Sequence, residues 1–174
     1  MPGKVLVVDD SALMRRLLSA VLTQAGWTVA VARNGREGVE QLHEWQPDVV
    51  TLDINMPEMD GLTALSLMMQ ARPTPIVMVS SLTEKGAQAT MEALALGAVD
   101  FIAKPGGTIS LSIDDIQALL LEKVRTASRI RLRPGRPAAA MPVPVQRSPR
   151  PALARPAPMG TSTSTSAPAS PAPP

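Results

Sequence analysis

Five short apolar runs, each followed by a stretch of helical period, leave this chain few architectures to choose from. The runs are KVLVV at 4–8, TVAVA at 28–32, VVTLD at 49–53, PIVMV at 75–79 and AVDFI at 98–102. Each has the length of a strand, and most are apolar enough to be covered on both faces. Between them, Ser11 opens a helix with Leu13, Leu17, Ala20 and Val21 on one stripe, and Gly26 stops it. A second helix spans Gly35 to Glu44 with Val39 and Leu42 inward, ended by Pro47. Asp60 caps a third helix through Leu62, Leu65 and Met69 to Ala71. Thr83 caps a fourth in which Ala87, Met91, Leu94 and Ala95 share a side, closed by Gly97. The fifth runs from about Ser112 to Ser128 or Ile130 and buries Ile113, Ile116, Leu120 and Val124. Strict strand–helix alternation predicts an α/β fold, a doubly wound five-stranded parallel sheet with five helices.

In such a sheet, ligands bind outside the carboxyl ends of the strands. Here those ends carry a coherent set of polar groups. The first strand leads into Asp9 and Asp10, the third ends on Asp53, the fourth on Ser80, and the fifth leads to Lys104. Singly, each has a plainer reading: Asp53 as a strand end, Asp9-Asp10 as a helix cap, Lys104 as a solvated loop residue. Together, three carboxylates at one edge repel one another unless a cation sits among them, and all-oxygen ligation suits Mg²⁺. With the ion bound, Asp53 is a nucleophile able to accept a phosphoryl group. Ser80 can donate to a phosphoryl oxygen and Lys104 can balance the charge that develops.

Composition divides the chain. Residues 1–123 hold all 15 acidic and 9 of the 17 basic residues, whereas 124–174 hold eight arginines and no acid. The basic character therefore belongs to the tail, and it does not make the folded part a nucleic-acid binder. Twelve prolines among Ala, Ser, Thr and Arg in 134–174 show no helix or strand period. We expect a folded domain over residues 3–130 and a disordered linker or tail over 131–174. Arg125, Arg129, Arg131 and Arg133 are read as a solvated patch, without interleaved aromatics to stack bases. There is no cysteine, so disulfides and thiolate metal sites are excluded. The start, MPGKVLVVDD, has no signal-peptide pattern, and no stretch has the length of a membrane span. A cytoplasmic location is expected.

The same residues resemble a response-regulator receiver domain, of flavodoxin-like fold, over about residues 3–130. The matching motifs are VLVVDDSALMRRLL at 5–18, LDINMPEMDGL at 52–62, VMVSS at 77–81 and DFIAKP at 100–105. The resemblance implies that Asp53 is the phosphoacceptor, Asp10 a direct metal ligand and Asp9 a carboxylate reaching the ion mainly through water. It implies that Asn55 offers its backbone carbonyl to the metal, that Ser80 is the switch hydroxyl and Lys104 the partner lysine. Phe101 is then the rotating aromatic of the output face, and Pro105 follows a bond that is cis in the family. Within the family, VSSLTEKGAQATMEALALGAVDFIAKP at 79–105 and RTASRIRLRP at 125–134 are most similar to the receiver and linker of the chemotaxis protein-glutamate methylesterase.

That family's output is a serine hydrolase domain, and no GxSxGG-like turn is found in these residues. The sole histidine, His43, reads as a surface residue of the second helix, and the serines at 162, 164 and 166 lie in a TSTSTS repeat. No esterase site is expected here. The expected function is Mg²⁺-dependent phosphoryl uptake on Asp53 from a chemotaxis sensor histidine kinase, switching an output face in adaptation. The alternatives are the regulatory part of a methylesterase whose hydrolase domain lies outside these residues, or a stand-alone binding module or phosphate sink. The output partner would be an esterase domain or another protein in trans.

Overall fold

A computed structural model describes residues 2–81, 84–104 and 113–132. The expected tail beyond residue 132, Pro105 and the cap at Thr83 lie outside the described residues. The elements are β1 (Lys4–Val8), α1 (Ala12–Gln24), β2 (Thr28–Ala32), α2 (Gly35–Trp45), β3 (Val49–Asp53), α3 (Gly61–Ala71), β4 (Ile76–Ser80), α4 (Glu84–Leu96), β5 (Asp100–Ala103) and α5 (Ile113–Ser128). The five strands form one parallel sheet in the order β2-β1-β3-β4-β5. Strand and helix alternate as the sequence pattern predicts, with β4 and β5 starting one and two residues later.

Alternate residues of a strand face opposite sides of the sheet. In β1, Val5 and Val7 pack with Leu18, Leu22, Leu120 and Val124, whereas Leu6 and Val8 pack with Leu42, Leu52, Leu65 and Met68. So α1 and α5 cover one face, and α2, α3 and α4 the other. Both faces of the central strands are dry, which explains why β1, β3 and β4 read as unbroken apolar runs.

Local signals place the helix ends. The side chains of Ser11, Asn34 and Asp60 each accept from the backbone N–H three residues on, satisfying a donor that the helix leaves open. Gly97, at φ 114°, ends α4; its N–H reaches the Leu94 carbonyl while that of Ala98 reaches Ala93.

Two helices bury a different stripe from the one their period suggests. In α1 the buried residues are Leu18, Val21 and Leu22, with Met14 packed beside them, and Leu13 is 76% exposed. The rows 13/17/20/21 and 14/18/21/22 are equally helical in period. The second carries Val21 and Leu22 where the first carries Ala20 and Val21, and so removes more apolar area from water. In α4 the sheet side is Gly86, Thr90 and Ala93, while Ala87 and Ala95 face out and Met91 is 68% exposed. Small residues face the sheet, Leu94 packs at the margin of the core as expected, and Met91 and Leu96 are left outside.

Candidate functional site

The strand order brings the carboxyl ends of β1, β3, β4 and β5 side by side. Val8 pairs with Leu52 and Asp53 with Val79, so Asp9 and Asp53 leave neighbouring strands at the same level. Ser80 pairs with Ala103, and the next residue, Lys104, donates its N–H to the Ser80 carbonyl at 2.7 Å. All the expected strand-end residues therefore meet at one edge.

Asp9 and Asp53 are buried, at 1% and 0% exposure, whereas Asp10 is exposed. One oxygen of each buried carboxylate is held by backbone: Ser11 N–H donates to Asp9 Oδ1 at 2.9 Å, and Asn55 N–H to Asp53 Oδ1 at 3.1 Å. The other oxygen of each faces Lys104, whose Nζ lies 3.1 Å from Asp9 Oδ2 and 2.8 Å from Asp53 Oδ2. These are ion pairs, since neither Oδ2 receives a well-directed hydrogen bond among the described residues. Asn55 thus enters the site through its N–H.

The charges are unbalanced. Burial raises the Asp53 pKa from 3.8 to about 6; Lys104 opposes the rise and the negative Asp9 adds to it. Burial alone would lower the Lys104 pKa, but the Asp53 and Asp9 carboxylates outweigh it and hold it above 10.5. One carboxylate oxygen from each of Asp9, Asp10 and Asp53 lies within 4.8 Å of the other two. Three acids against one lysine, all offering oxygen, form a donor set that fits a hard divalent cation.

The loop after Asp53 closes on the strand end. Gly61 N–H donates to the Ile54 carbonyl at 2.8 Å, and a Cβ at Gly61 would overlap the Asp53 carbonyl oxygen and the Ile54 backbone. The Asp60-Gly61 pair is therefore needed at the site itself, for a close backbone approach as well as for the helix start. Arg15, unremarked in the sequence, donates through Nη1 to the carbonyls of Asp9 (2.7 Å) and Asp10 (3.0 Å), fixing the loop between β1 and α1. An arginine one turn into a helix whose cap follows two aspartates is the signal that could have found it.

Ser80 is buried, and its hydroxyl points to α4, donating to the carbonyls of Ser81 (3.2 Å) and Gly86 (3.4 Å). Phe101, on β5, is 42% exposed with Lys123 Nζ 5.6 Å from its ring centroid. Lys123 also pairs with Asp100 at 2.6 Å. Met91 and Leu96 on α4 and Phe101 on β5 are exposed large apolar side chains. His43 is exposed on α2, as expected.

Residues 5–113 match the response regulator receiver domain. The chain is 61% identical over 131 residues to protein-glutamate methylesterase/protein-glutamine glutaminase 3 of Rhodospirillum rubrum, covering 75% of this chain and 35% of that protein. It is 54% identical over 131 residues to the corresponding protein 3 of Vibrio cholerae, covering 75% and 37%. The chain thus spans little more than a third of the length of these curated relatives. Among solved structures, the response regulator domain of Thermotoga maritima CheB is similar at 48% identity and TM-score 0.68, covering 76% of this chain and all of that one. The Vibrio cholerae chemotaxis protein CheY4 is similar at 31% identity and TM-score 0.61, covering 73% and 99%.

Proposed function

Because the chain belongs to the response regulator receiver family, we propose that it is a phosphoacceptor, with Asp53 receiving a phosphoryl group from a histidine kinase. Its likeness to methylesterase receivers favours the regulatory part of a protein-glutamate methylesterase over a stand-alone regulator of adaptation. The chain matches 35–37% of the length of those relatives, and the hydrolase activity in their names is not assigned to these residues.

The observation that carries the reading is Lys104 bridging the two buried carboxylates at 3.1 and 2.8 Å beside the exposed Asp10. Asp53 Oδ2 has no hydrogen-bond partner among the described residues and would be the oxygen that attacks phosphorus. As the new O–P bond forms, the P–N bond to the donor histidine breaks and its electron pair returns to the imidazole. Lys104 is then within reach of a phosphoryl oxygen in place of Asp53 Oδ2, and its charge opposes the negative charge developing there. Asp9, Asp10, Asp53 and the backbone of Asn55 would hold Mg²⁺, which would neutralise the crowded acids and polarise the phosphoryl oxygens. The Ser80 hydroxyl would leave Gly86 for the phosphoryl group, and Phe101 would turn inward, altering the surface around Met91 and Leu96.

The test is transfer from a phosphorylated chemotaxis kinase to the wild type and to Asp53→Asn, with Mg²⁺ or with chelator. Label should reach only the wild type in Mg²⁺. Equal labelling of the variant would refute the assignment.

A further inference from the structure

We propose that Thr90 of α4 is a positioning residue of the switch, keeping the Ser80 hydroxyl weakly held so that it can be exchanged for a phosphoryl oxygen. The inference rests on the reading of Ser80 given above and adds a residue to it.

Three donors converge on one acceptor, the carbonyl oxygen of Gly86. As a residue of the first turns of α4, Gly86 offers this oxygen to the helical N–H of Thr90. The Thr90 hydroxyl donates to the same oxygen at 2.7 Å, and the Ser80 hydroxyl at 3.4 Å. A carbonyl oxygen has two lone pairs, so the third and longest contact is the weak one. Ser80 is further divided by its bond to the Ser81 carbonyl at 3.2 Å. A helical threonine commonly donates to the carbonyl four residues back, where it bends or slightly weakens the helix. What sets Thr90 apart is that it does so on the buried face, at 6% exposure, on the one oxygen that also tethers Ser80.

This arrangement gives Thr90 two effects on one equilibrium. In the resting form it occupies the acceptor capacity that Ser80 would otherwise take, so Ser80 is held loosely. When Ser80 turns toward the site, the Gly86 carbonyl is left satisfied by Thr90, and no buried acceptor is orphaned. Without the hydroxyl, Ser80 becomes the carbonyl's second donor and its departure costs a full hydrogen bond. The resting form is then favoured, and any ligand that binds the switched form binds less tightly.

The experiment titrates the intact chain with beryllium fluoride, a phosphoryl analogue, in saturating Mg²⁺. It compares wild type, Thr90→Val, Thr90→Ala, Thr90→Ser and Ser80→Ala. Loss of one net hydrogen bond predicts roughly 2–10-fold weaker analogue binding for Thr90→Val and for the less bulky Thr90→Ala. Thr90→Ser keeps the hydroxyl and should stay within about twofold of wild type. Affinity for Mg²⁺ alone should be unchanged in all three. In a Ser80→Ala background Thr90→Val should have no further effect, because the competition it relieves is gone; a merely structural role would persist there. Wild-type affinity in Thr90→Val and Thr90→Ala, or equal loss in Thr90→Ser, overturns the inference while Ser80→Ala still weakens binding. If Ser80→Ala itself binds the analogue like wild type, the switch reading fails and this inference with it.

Discussion

Asp53 should destabilise the metal-free fold at neutral pH, and replacing it with asparagine should reveal by how much. Its pKa rises from 3.8 to about 6 because the carboxylate is buried beside Asp9 and only partly compensated by Lys104. At about 1.4 kcal/mol per tenfold change in proton affinity, holding Asp53 ionised costs the fold roughly 3 kcal/mol. Asparagine removes that cost but keeps only one oxygen, while the Lys104 ammonium and the Asn55 N–H each face an oxygen of this side chain. Losing one of the two contacts returns about 1 kcal/mol, leaving a net gain of about 1–2 kcal/mol. The sign with pH follows from the raised value. Between pH 4 and 6 the folded state binds more protons at Asp53 than the unfolded chain, so this group's contribution falls as pH rises and its cost is complete above about 6. Thermal or urea unfolding in chelator should therefore show Asp53→Asn more stable than wild type at pH 7.5, with the difference shrinking toward pH 4. A variant less stable than wild type at pH 7.5, or a difference independent of pH, would refute this electrostatic reasoning.

Mg²⁺ should offset much of that difference. At ten times its dissociation constant it should stabilise the wild type by about 1.4 kcal/mol and Asp53→Asn much less, read from melting with and without the ion. Gly61→Ala places a Cβ against the Asp53 and Ile54 backbone. It should cost about 2 kcal/mol or more in urea unfolding and slow phosphorylation, because the strand end must shift. The buried face of α1 can be checked by a pair of substitutions: Leu18→Ala should cost about 2–5 kcal/mol and Leu13→Ala under about 0.5 kcal/mol.

The strands and the polar groups at their ends were legible in the sequence for one reason: the same residues that must be buried mark where the chain emerges. Val49, Val50 and Leu52 can only be interior, and Asp53 follows them without a spacer, so strand and strand end were read together. The caps at Ser11 and Asp60 were legible because a short oxygen side chain before a helix has one obvious donor to satisfy. The faces of α1 and α4 were not. Leu13 and Leu18 both belong to rows of helical period, and only packing against α5 and the sheet selects between them. In α4 the selection goes to small residues, which no hydrophobicity pattern ranks above Met91. Contacts that depend on backbone position were also hidden, such as Arg15 reaching the Asp9 and Asp10 carbonyls and Thr90 meeting Ser80 at Gly86. So was the placement of Lys104, which the sequence brings to the right edge without indicating that it lies between two carboxylates.

The proposed phosphorylation makes a covalent bond at one oxygen of one residue, and that bond can be located directly. The chain is phosphorylated with acetyl phosphate in Mg²⁺, the acyl phosphate is reduced with borohydride, and the digest is read by mass spectrometry. Homoserine should appear at position 53 and unmodified aspartate at positions 9 and 10. Reduction at Asp9 or Asp10, or none anywhere while the protein consumes the donor, would contradict phosphorylation at Asp53.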